Sequence, residues 1–288
     1  MKRPRRSSPD SRATPAGPRK LPARRALSQN FLIDGAVADR IVDALPVGPD
    51  DRVYEIGAGK GFLTERLASL VKGQEDIWAI EKDRRLVGML RKKFPIGGTV
   101  RVIWADILDL PPEAEPPVEC WLYGNLPFGI GHAILEWMFV RRDRFRGAVV
   151  TLQREVVQRL LAGPGQTGRA AVSIWFQARG RGSALFNIPP GAFHPPPRVT
   201  STVMRIDFEP ATPELAPIAG FDYVVQRAFA QKRKTLANNL RAVRQLTPAA
   251  WDRLRAECGD LLSQRAEQLH AHDFARLAGC LQGSLPSV

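Results

Sequence analysis

The fold is decided by residues 53–62, which read Val53-Tyr54-Glu55-Ile56-Gly57-Ala58-Gly59-Lys60-Gly61-Phe62. A short apolar run leads into three glycines and then into a helical pattern. This order predicts a strand, a tight turn and a helix, because glycine permits positive φ and a close approach of backbone to a ligand. The free N–H groups at the start of that helix suit an anionic or polar ligand. The segment therefore predicts an α/β fold with a binding site at the end of a strand.

Strand-like and helical patterns alternate on the C-terminal side of this segment. Apolar runs predict strands at Arg52–Ile56, Ile77–Ile80, Val100–Trp104, Cys120–Tyr123 and Ala148–Leu152. Helices between strands of this length predict βαβ units and a mostly parallel sheet. Two later runs, Ala171–Gln177 and Thr202–Phe208, are predicted as further strands at the far edge.

The segment 209–220 contains three prolines and is predicted to separate two domains. Beyond it, the apolar residues from Phe221 to Phe229 share one face of a helix, and Arg265–Cys280 predicts another helix. We therefore predict a basic tail over residues 1–25, an α/β domain over 26–208, a linker over 209–220 and a small all-α domain over 221–288.

The net charge of +13 and the pI of about 10.4 predict an anionic partner. The basic tail holds nine Lys and Arg against one acid, so it contributes +8 and leaves +5 for the remainder. The tail also holds five prolines and few large apolar side chains, so it is predicted to be disordered and to attract RNA without specificity.

Several classes of protein are excluded by the composition. The longest charge-free stretches are broken by Gly and Pro, and neither reads as a membrane-spanning helix of about 20 apolar residues. No apolar signal-peptide core follows the N-terminal charges. Cys120, Cys258 and Cys280 form no CxxC pair, which predicts thiols in a reducing cytoplasm and no metal site.

The glycine turn admits three interpretations. A P-loop needs Ser or Thr after the lysine, and Lys60 is followed by Gly61, while the dinucleotide fingerprint GxGxxG also fits poorly. The spacing resembles the first motif of S-adenosylmethionine-dependent methyltransferases. Glu81 at the end of the second run suits the ribose hydroxyls, and Asp106 at the end of the third suits the adenine amino group.

The fourth run ends in Asn125-Leu126-Pro127-Phe128, which resembles the Asn-x-Pro-aromatic motif of enzymes that methylate exocyclic amines of bases. The lone pair of adenine N6 is delocalised, so the amine is a poor nucleophile. The Asn125 amide oxygen and the Leu126 carbonyl could each accept one N6–H bond and favour a pyramidal nitrogen. Pro127 fixes the turn, and Phe128 offers a face on which the base can stack.

Six blocks in order make the resemblance specific. They read ALSQNFL from Ala26, EIGAGKGFLT from Glu55, AIEKD from Ala79, NLPF from Asn125, FHPPPRV from Phe193 and AFAQKRKTLANNL from Ala228. Together, over residues 23–282, they resemble the small-subunit ribosomal RNA adenine N6,N6-dimethyltransferase family. The resemblance implies a Rossmann-like methyltransferase domain, followed by a helical domain, that dimethylates two adjacent adenosines in the 3′-terminal hairpin of 16S-type RNA.

The resemblance also implies the site residues. S-Adenosylmethionine would be held by seven residues: Asn30, Leu32, Gly57, Gly59, Glu81, Asp106 and Asn125. Phe193 would approach the target base opposite Phe128. The family usually has Tyr at position 128 and Asn-Ile-Ser-Thr where this chain has 129–132, so a hydroxyl and Ser/Thr caps are lost.

The predicted RNA contact lies in 226–245, which carries basic residues and no acid: Arg227, Lys232, Arg233, Lys234, Arg241 and Arg244. Read as a helix, Lys232 to Lys234 cannot all point inward, so some face solvent or RNA. We predict a monomer that acts on 16S rRNA in the 30S subunit. The alternatives are a 23S rRNA adenine methyltransferase that confers macrolide resistance, and a non-catalytic RNA-binding assembly factor.

Overall fold

A computed structural model describes residues 29–44, 46–127, 129–209, 219–241 and 246–282. In chain order its strands are β1 (Phe31–Leu32), β2 (Val53–Ile56), β3 (Ile77–Glu81), β4 (Val100–Trp104), β5 (Cys120–Asn125), β6 (Phe145–Gln153), β7 (Arg181–Ile188), β8 (Phe193–His194) and β9 (Ser201–Asp207). Its α-helices are α1 (Gly35–Asp43), α2 (Phe62–Ala68), α3 (Arg84–Lys93), α4 (Gly131–Val140), α5 (Arg154–Leu161), α6 (Ala171–Gln177), α7 (Phe221–Ala228), α8 (Leu236–Arg241), α9 (Pro248–Leu262) and α10 (Ala271–Cys280).

Seven strands form one sheet in the order β4-β3-β2-β5-β6-β9-β7. The pairs from β4 to β6 are parallel, and β9 pairs antiparallel with both β6 and β7. Helices cover both faces, which is why the central strands are continuous apolar runs rather than alternating ones. The mostly parallel sheet confirms the predicted fold class.

The prediction of a strand at Ala171–Gln177 is wrong, because these residues form α6. A seven-residue apolar run fits a buried helix as well as a strand. Here Ser173 accepts a hydrogen bond from the Ala170 amide at 3.0 Å, which caps the helix. Ile174 packs in the core of the helical region and Phe176 in the core of the sheet, so α6 is apolar on two sides. The edge strand is β7, which the sequence pattern did not reveal, whereas the strand predicted at Thr202–Phe208 is β9.

The helical region after residue 219 has a core of its own, built from α7 to α10 together with Ile174 of α6 and Ala178, which follows that helix. The predicted apolar face of the first helix is buried, as the helical spacing required. The single helix predicted over Arg265–Cys280 is wrong at its start. A 3-10 turn over Ala266–Gln268 comes first, and extended backbone at Leu269 and His270 separates it from α10. Most of the predicted linker, residues 210–218, lies outside the described residues, as does the basic tail.

Within the ranges that the structure describes, no helix combines the length and apolar character needed to cross a bilayer.

Candidate active site

A cavity of about 370 Å³ opens at the carboxyl ends of the central strands. It lies where the strand order reverses, because β3 and β4 lie on one side of β2 and β5 lies on the other. Every predicted cofactor residue lines it: Asn30, Leu32, Gly57, Gly59, Glu81, Asp106 and Asn125. Leu126, Pro127 and Phe193 line it as well, and Phe128 lies outside the described residues.

The glycine turn adopts the conformation for which its residues are suited. Gly57, Gly59 and Gly61 have φ of 74°, 58° and 74°. The Gly57 and Ala58 amides donate to the Ile80 carbonyl at 2.9 and 3.1 Å, which ties the turn to β3. A Cβ at Gly57 would meet no atom within 4 Å, so this side of the turn is open. The turn therefore presents bare backbone to the cavity.

Glu81 is held rigidly at the end of β3. Its Oε2 accepts from the Gly59 amide at 2.9 Å, and its Oε1 accepts from the Asp83 amide at 2.7 Å. Burial raises the pKa of Glu81, and these two N–H bonds oppose the rise by favouring the charged form. Each carboxylate oxygen retains a further lone pair, so the group can still accept from ligand hydroxyls.

Glu55 is a second acid in the cavity wall, and it is 2% exposed. Its Oε2 has no hydrogen-bond partner among the described residues. Burial raises its pKa to about 7. A buried carboxyl group in the wall of a cavity fits a ligand that carries a donor or a positive charge.

Asp106 follows β4 and lines the cavity. The Lys82 ammonium forms an ion pair with its Oδ2, and the Leu108 amide donates to its Oδ1 at 3.2 Å. The carboxylate is therefore oriented by two groups and stays partly exposed at the cavity.

Three distant segments meet at Asn125. Its Nδ2 donates to the Asn30 carbonyl at 3.3 Å, and the neighbouring Leu126 amide donates to the Thr151 carbonyl at 3.1 Å. β1 pairs with β8, which sets Leu32 opposite Phe193 and places both on the cavity. The two sequence blocks around Asn30 and Phe193 are thus brought to one edge of the sheet.

A model of the family described as "Ribosomal RNA adenine dimethylase" matches residues 21–276. The chain belongs to this family. It is 41% identical over 254 residues to the ribosomal RNA small subunit methyltransferase A of Acidobacterium capsulatum, covering 87% of this chain and 88% of that protein. It is 38% identical over 261 residues to the protein of the same name from Bordetella pertussis, covering 90% and 94%.

Two solved structures share the dimethylase fold. A dimethyladenosine transferase from Plasmodium falciparum has a TM-score of 0.75 at 22% identity, covering 88% of this chain and 98% of that one. The 23S rRNA methyltransferase ErmE has a TM-score of 0.63 at 24% identity, covering 88% and 99%. At these identities the likeness is one of fold.

Five of the six basic residues predicted to contact RNA are described, and all five are exposed in this dimethylase. The helix predicted through Lys232–Lys234 is wrong. Residues 231–234 form a turn between α7 and α8, closed by the Lys234 amide donating to the Gln231 carbonyl at 3.0 Å. The buried Asn239 holds it, since its Nδ2 donates to Ala228 and Gln231 carbonyls at 2.7 and 3.2 Å. The turn therefore displays all three cations. Arg227 and Arg241 flank it on the neighbouring helices, and Arg244 lies outside the described residues.

The sequence did not identify every residue of the dimethylase cavity. The sequence pattern marks Tyr123 only as part of a strand, whereas the structure pairs it in register with Glu55 and places it in the cavity lining. Asp83 is not part of the lining, but its carboxylate accepts from the lining residue Gln29 at 3.3 Å. Hydrogen bonding from Arg85 lowers the pKa of Asp83 to about 2. One signal was available for Tyr123: it lies two residues before Asn125, so both side chains share a face of β5.

Proposed function

We propose that this protein transfers methyl groups from S-adenosylmethionine to N6 of two adjacent adenosines in the 3′-terminal hairpin of 16S rRNA. The observation that carries the proposal is Asn125, which ends β5 on the wall of the cavity that also holds Glu81. The family and the names of the relatives support the same chemistry. We further propose a monomer that acts in the cytoplasm on the 30S subunit.

The cavity residues fit S-adenosylmethionine. Glu81 would accept from the ribose hydroxyls and Asp106 from the adenine amino group, because both carboxylates are oriented toward the cavity. The Glu55 carboxyl group in the cavity wall suits the ammonium group at the methionine end of the cofactor, and the bare backbone at Gly57 permits close approach. Asn30 and Leu32 would close the cavity from β1. The cofactor, when bound, supplies an electrophilic methyl group on a sulfonium centre.

Asn125 and Leu126 would hold the reacting amine. The Asn125 Nδ2 is already committed to the Asn30 carbonyl, so its Oδ1 is the part of the amide left to accept an N6–H bond. The Leu126 carbonyl accepts the second N6–H, which leaves the nitrogen lone pair free to point at the methyl group. Phe193 and Phe128 would hold the base between them, with stacking that contributes about 1–3 kcal/mol per base. Positioning of this kind can lower a barrier by several kcal/mol (up to about 7–11 in the best cases).

Substitution of Asn125 tests the assignment. We expect Asn125→Ala to lower kcat by about 100-fold or more, while the Kd of S-adenosylmethionine, measured by calorimetry, rises only a few-fold. The reason is that the amide oxygen acts on the amine, whereas Glu81 and Asp106 hold the cofactor. Turnover equal to that of the unmodified protein would contradict the role assigned to Asn125.

Transfer of tritiated methyl groups decides the substrate. The assay uses undermethylated 30S particles, with 50S particles and 23S RNA as controls, and the product nucleosides are identified after digestion. We expect label in 16S RNA as N6,N6-dimethyladenosine. Label in 23S RNA alone would support the macrolide-resistance alternative, and no label in either RNA would support a non-catalytic assembly factor.

A further inference from the structure

A second cavity, the α5–β7 cleft, lies on the sheet face that carries α5. It encloses about 700 Å³ between α5, the loop 163–168 and the strands β7 and β9. Its polar lining consists of Arg154, Gln158, Gln166, Thr167, Asn187 and Thr202. The volume is within the range of about 300–1,000 Å³ typical of ligand sites. The lining holds one cation and no acid.

The cleft begins close to the candidate active site. Thr151 is paired in register with Asn125, and Arg154 follows three residues later at the start of α5. At about 3.3 Å per residue of extended chain, the backbone of Arg154 lies at most about 10 Å from that of Thr151. One strand of B-form DNA advances about 3.4 Å per nucleotide, and a stacked RNA strand advances by a similar distance. The cleft is therefore within about three nucleotides of a base held at Asn125.

The cleft offers mainly hydrogen-bond donors. The Gly163 amide donates to the Gln166 Oε1 at 2.8 Å, so the NH₂ group of that side chain is the part left for a ligand. The Thr202 hydroxyl donates to the Asn187 Oδ1 at 2.7 Å, which fixes the amide of Asn187 on the wall in the same way. Among the described residues, Arg154 belongs to none of the ion pairs. Phosphates and base edges supply the acceptors that such a surface lacks.

The loop wall of the cleft is anchored to the helical region. The Gly165 amide donates to the Glu267 carbonyl at 2.8 Å. The buried Arg169 donates to the Ala162 carbonyl and, at 2.6 Å, to the Leu269 carbonyl. These bonds hold Gln166 and Thr167 in place before any ligand arrives, which reduces the ordering cost of binding.

We propose that the α5–β7 cleft binds the RNA strand that flanks the target adenosines, with Arg154 on a phosphate and the amides of Gln158 and Gln166 on base edges. This inference rests on the proposed function, because it takes the target base to be held at Asn125. It adds a contact on the catalytic domain to the one predicted at Lys232–Lys234.

Arg154→Gln and Gln158→Leu test the cleft, with Arg159→Gln as the matched control. Arg159 lies on the same helix and pairs with Glu155, and it does not line the cleft. The RNA probe is a 3′-terminal 16S hairpin that carries the two adjacent adenosines, titrated by fluorescence anisotropy at several salt concentrations. We expect Arg154→Gln to weaken binding about tenfold and to reduce the salt slope by about 0.7–0.9, the value for one lost phosphate contact. Gln158→Leu should weaken binding without changing the slope.

The steady-state readout separates this role from a structural one. We expect the KM for undermethylated 30S particles to rise with the hairpin Kd, while kcat and the Kd of S-adenosylmethionine stay at the values of Arg159→Gln. Equal hairpin affinity and equal salt slope in Arg154→Gln and Arg159→Gln would overturn the inference. A loss of affinity for 30S particles without a loss of affinity for the hairpin would also overturn it, because that result would indicate that the cleft binds a ribosomal protein.

The hairpin titration does not depend on methyl transfer, so the two proposals can fail separately. Wild-type protein that binds the hairpin through Arg154 but transfers no methyl group would refute the proposed function and support the cleft. If the wild-type protein methylates 16S RNA and Arg154→Gln binds the hairpin as tightly as the wild type does, the result would support the proposed function and refute the inference about the cleft.

Discussion

Glu55→Gln should stabilise the ligand-free protein at neutral and alkaline pH. The carboxyl group is 2% exposed, one of its oxygens has no partner among the described residues, and burial raises its pKa from 4.5 to about 7. The folded protein therefore binds the Glu55 proton more tightly than the unfolded chain does. Stability is highest while Glu55 is protonated, and it falls as the pH rises from about 4.5 to about 7.

The size of the effect follows from the pKa. A rise from 4.5 to about 7 corresponds to about 3 kcal/mol at 1.36 kcal/mol per pH unit, an order-of-magnitude figure. The substituted glutamine keeps the shape of the acid and carries no charge at any pH. The free energy of unfolding of Glu55→Gln should exceed that of the wild type by about 3 kcal/mol at pH 8 and by less than about 1 kcal/mol at pH 5.

Urea unfolding of both proteins without cofactor, followed at pH 5, 6, 7 and 8, measures this difference. Glu155→Gln is the matched control, because Glu155 is 80% exposed and should give a difference within about 0.5 kcal/mol at every pH. The reasoning would be refuted if the difference in free energy of unfolding between Glu55→Gln and the wild type does not increase with pH. A variant less stable than wild type at pH 8 would refute it as well. The same variant should bind S-adenosylmethionine more weakly, since the proposed acceptor for the amino-acid end is uncharged.

Two further perturbations test the turn and the basic surface. Gly61→Ala should destabilise the protein by about 1–3 kcal/mol in urea unfolding, because φ is 74° and a Cβ would lie 2.8 Å from Leu90 and 2.9 Å from Phe94. Gly88→Ala is the control, because Gly88 lies in α3 and the added Cβ would have no atom within 4 Å. It should stabilise the protein by about 0.5–1 kcal/mol. Similar losses of stability in both variants would contradict this account. Replacing Lys232–Lys234 with glutamine should reduce the salt slope of hairpin binding by about 2 without changing the Kd of S-adenosylmethionine, and an unchanged slope would remove these residues from the RNA contact.

Local pattern predicted the parts of the fold that local physics controls. The strands β2 to β6 are continuous apolar runs bounded by turn residues, and each lies where its run predicts it. The turn at Gly57–Gly61 needs positive φ, which the residue types already indicate. The acids and the amide at the strand ends then meet at one edge, because parallel strands end on the same side of a sheet.

The errors lie where packing overrides local preference. Ala171–Gln177 has the composition of a strand, and it is helical because α6 packs against the sheet on one side and the helical core on the other. Lys232–Lys234 continues a helical pattern, and it turns because the Asn239 side chain donates to the Ala228 carbonyl at the end of α7 and to the Gln231 carbonyl in the turn. In both cases the deciding contact comes from residues outside the segment.

The sequence by itself determined the glycine turn, the strand-end acids and the order of the family blocks, because each depends on residue type and short spacing. Only the tertiary structure decided how Asn30 and Phe193 reach Asn125, since the pairing of β1 with β8 joins segments far apart in the chain. It also decided the protonation of Glu55, because the pKa of a carboxyl group depends on the solvent that folding removes. The α5–β7 cleft was likewise decided by the tertiary structure, because its walls come from four segments that only the folded chain brings together.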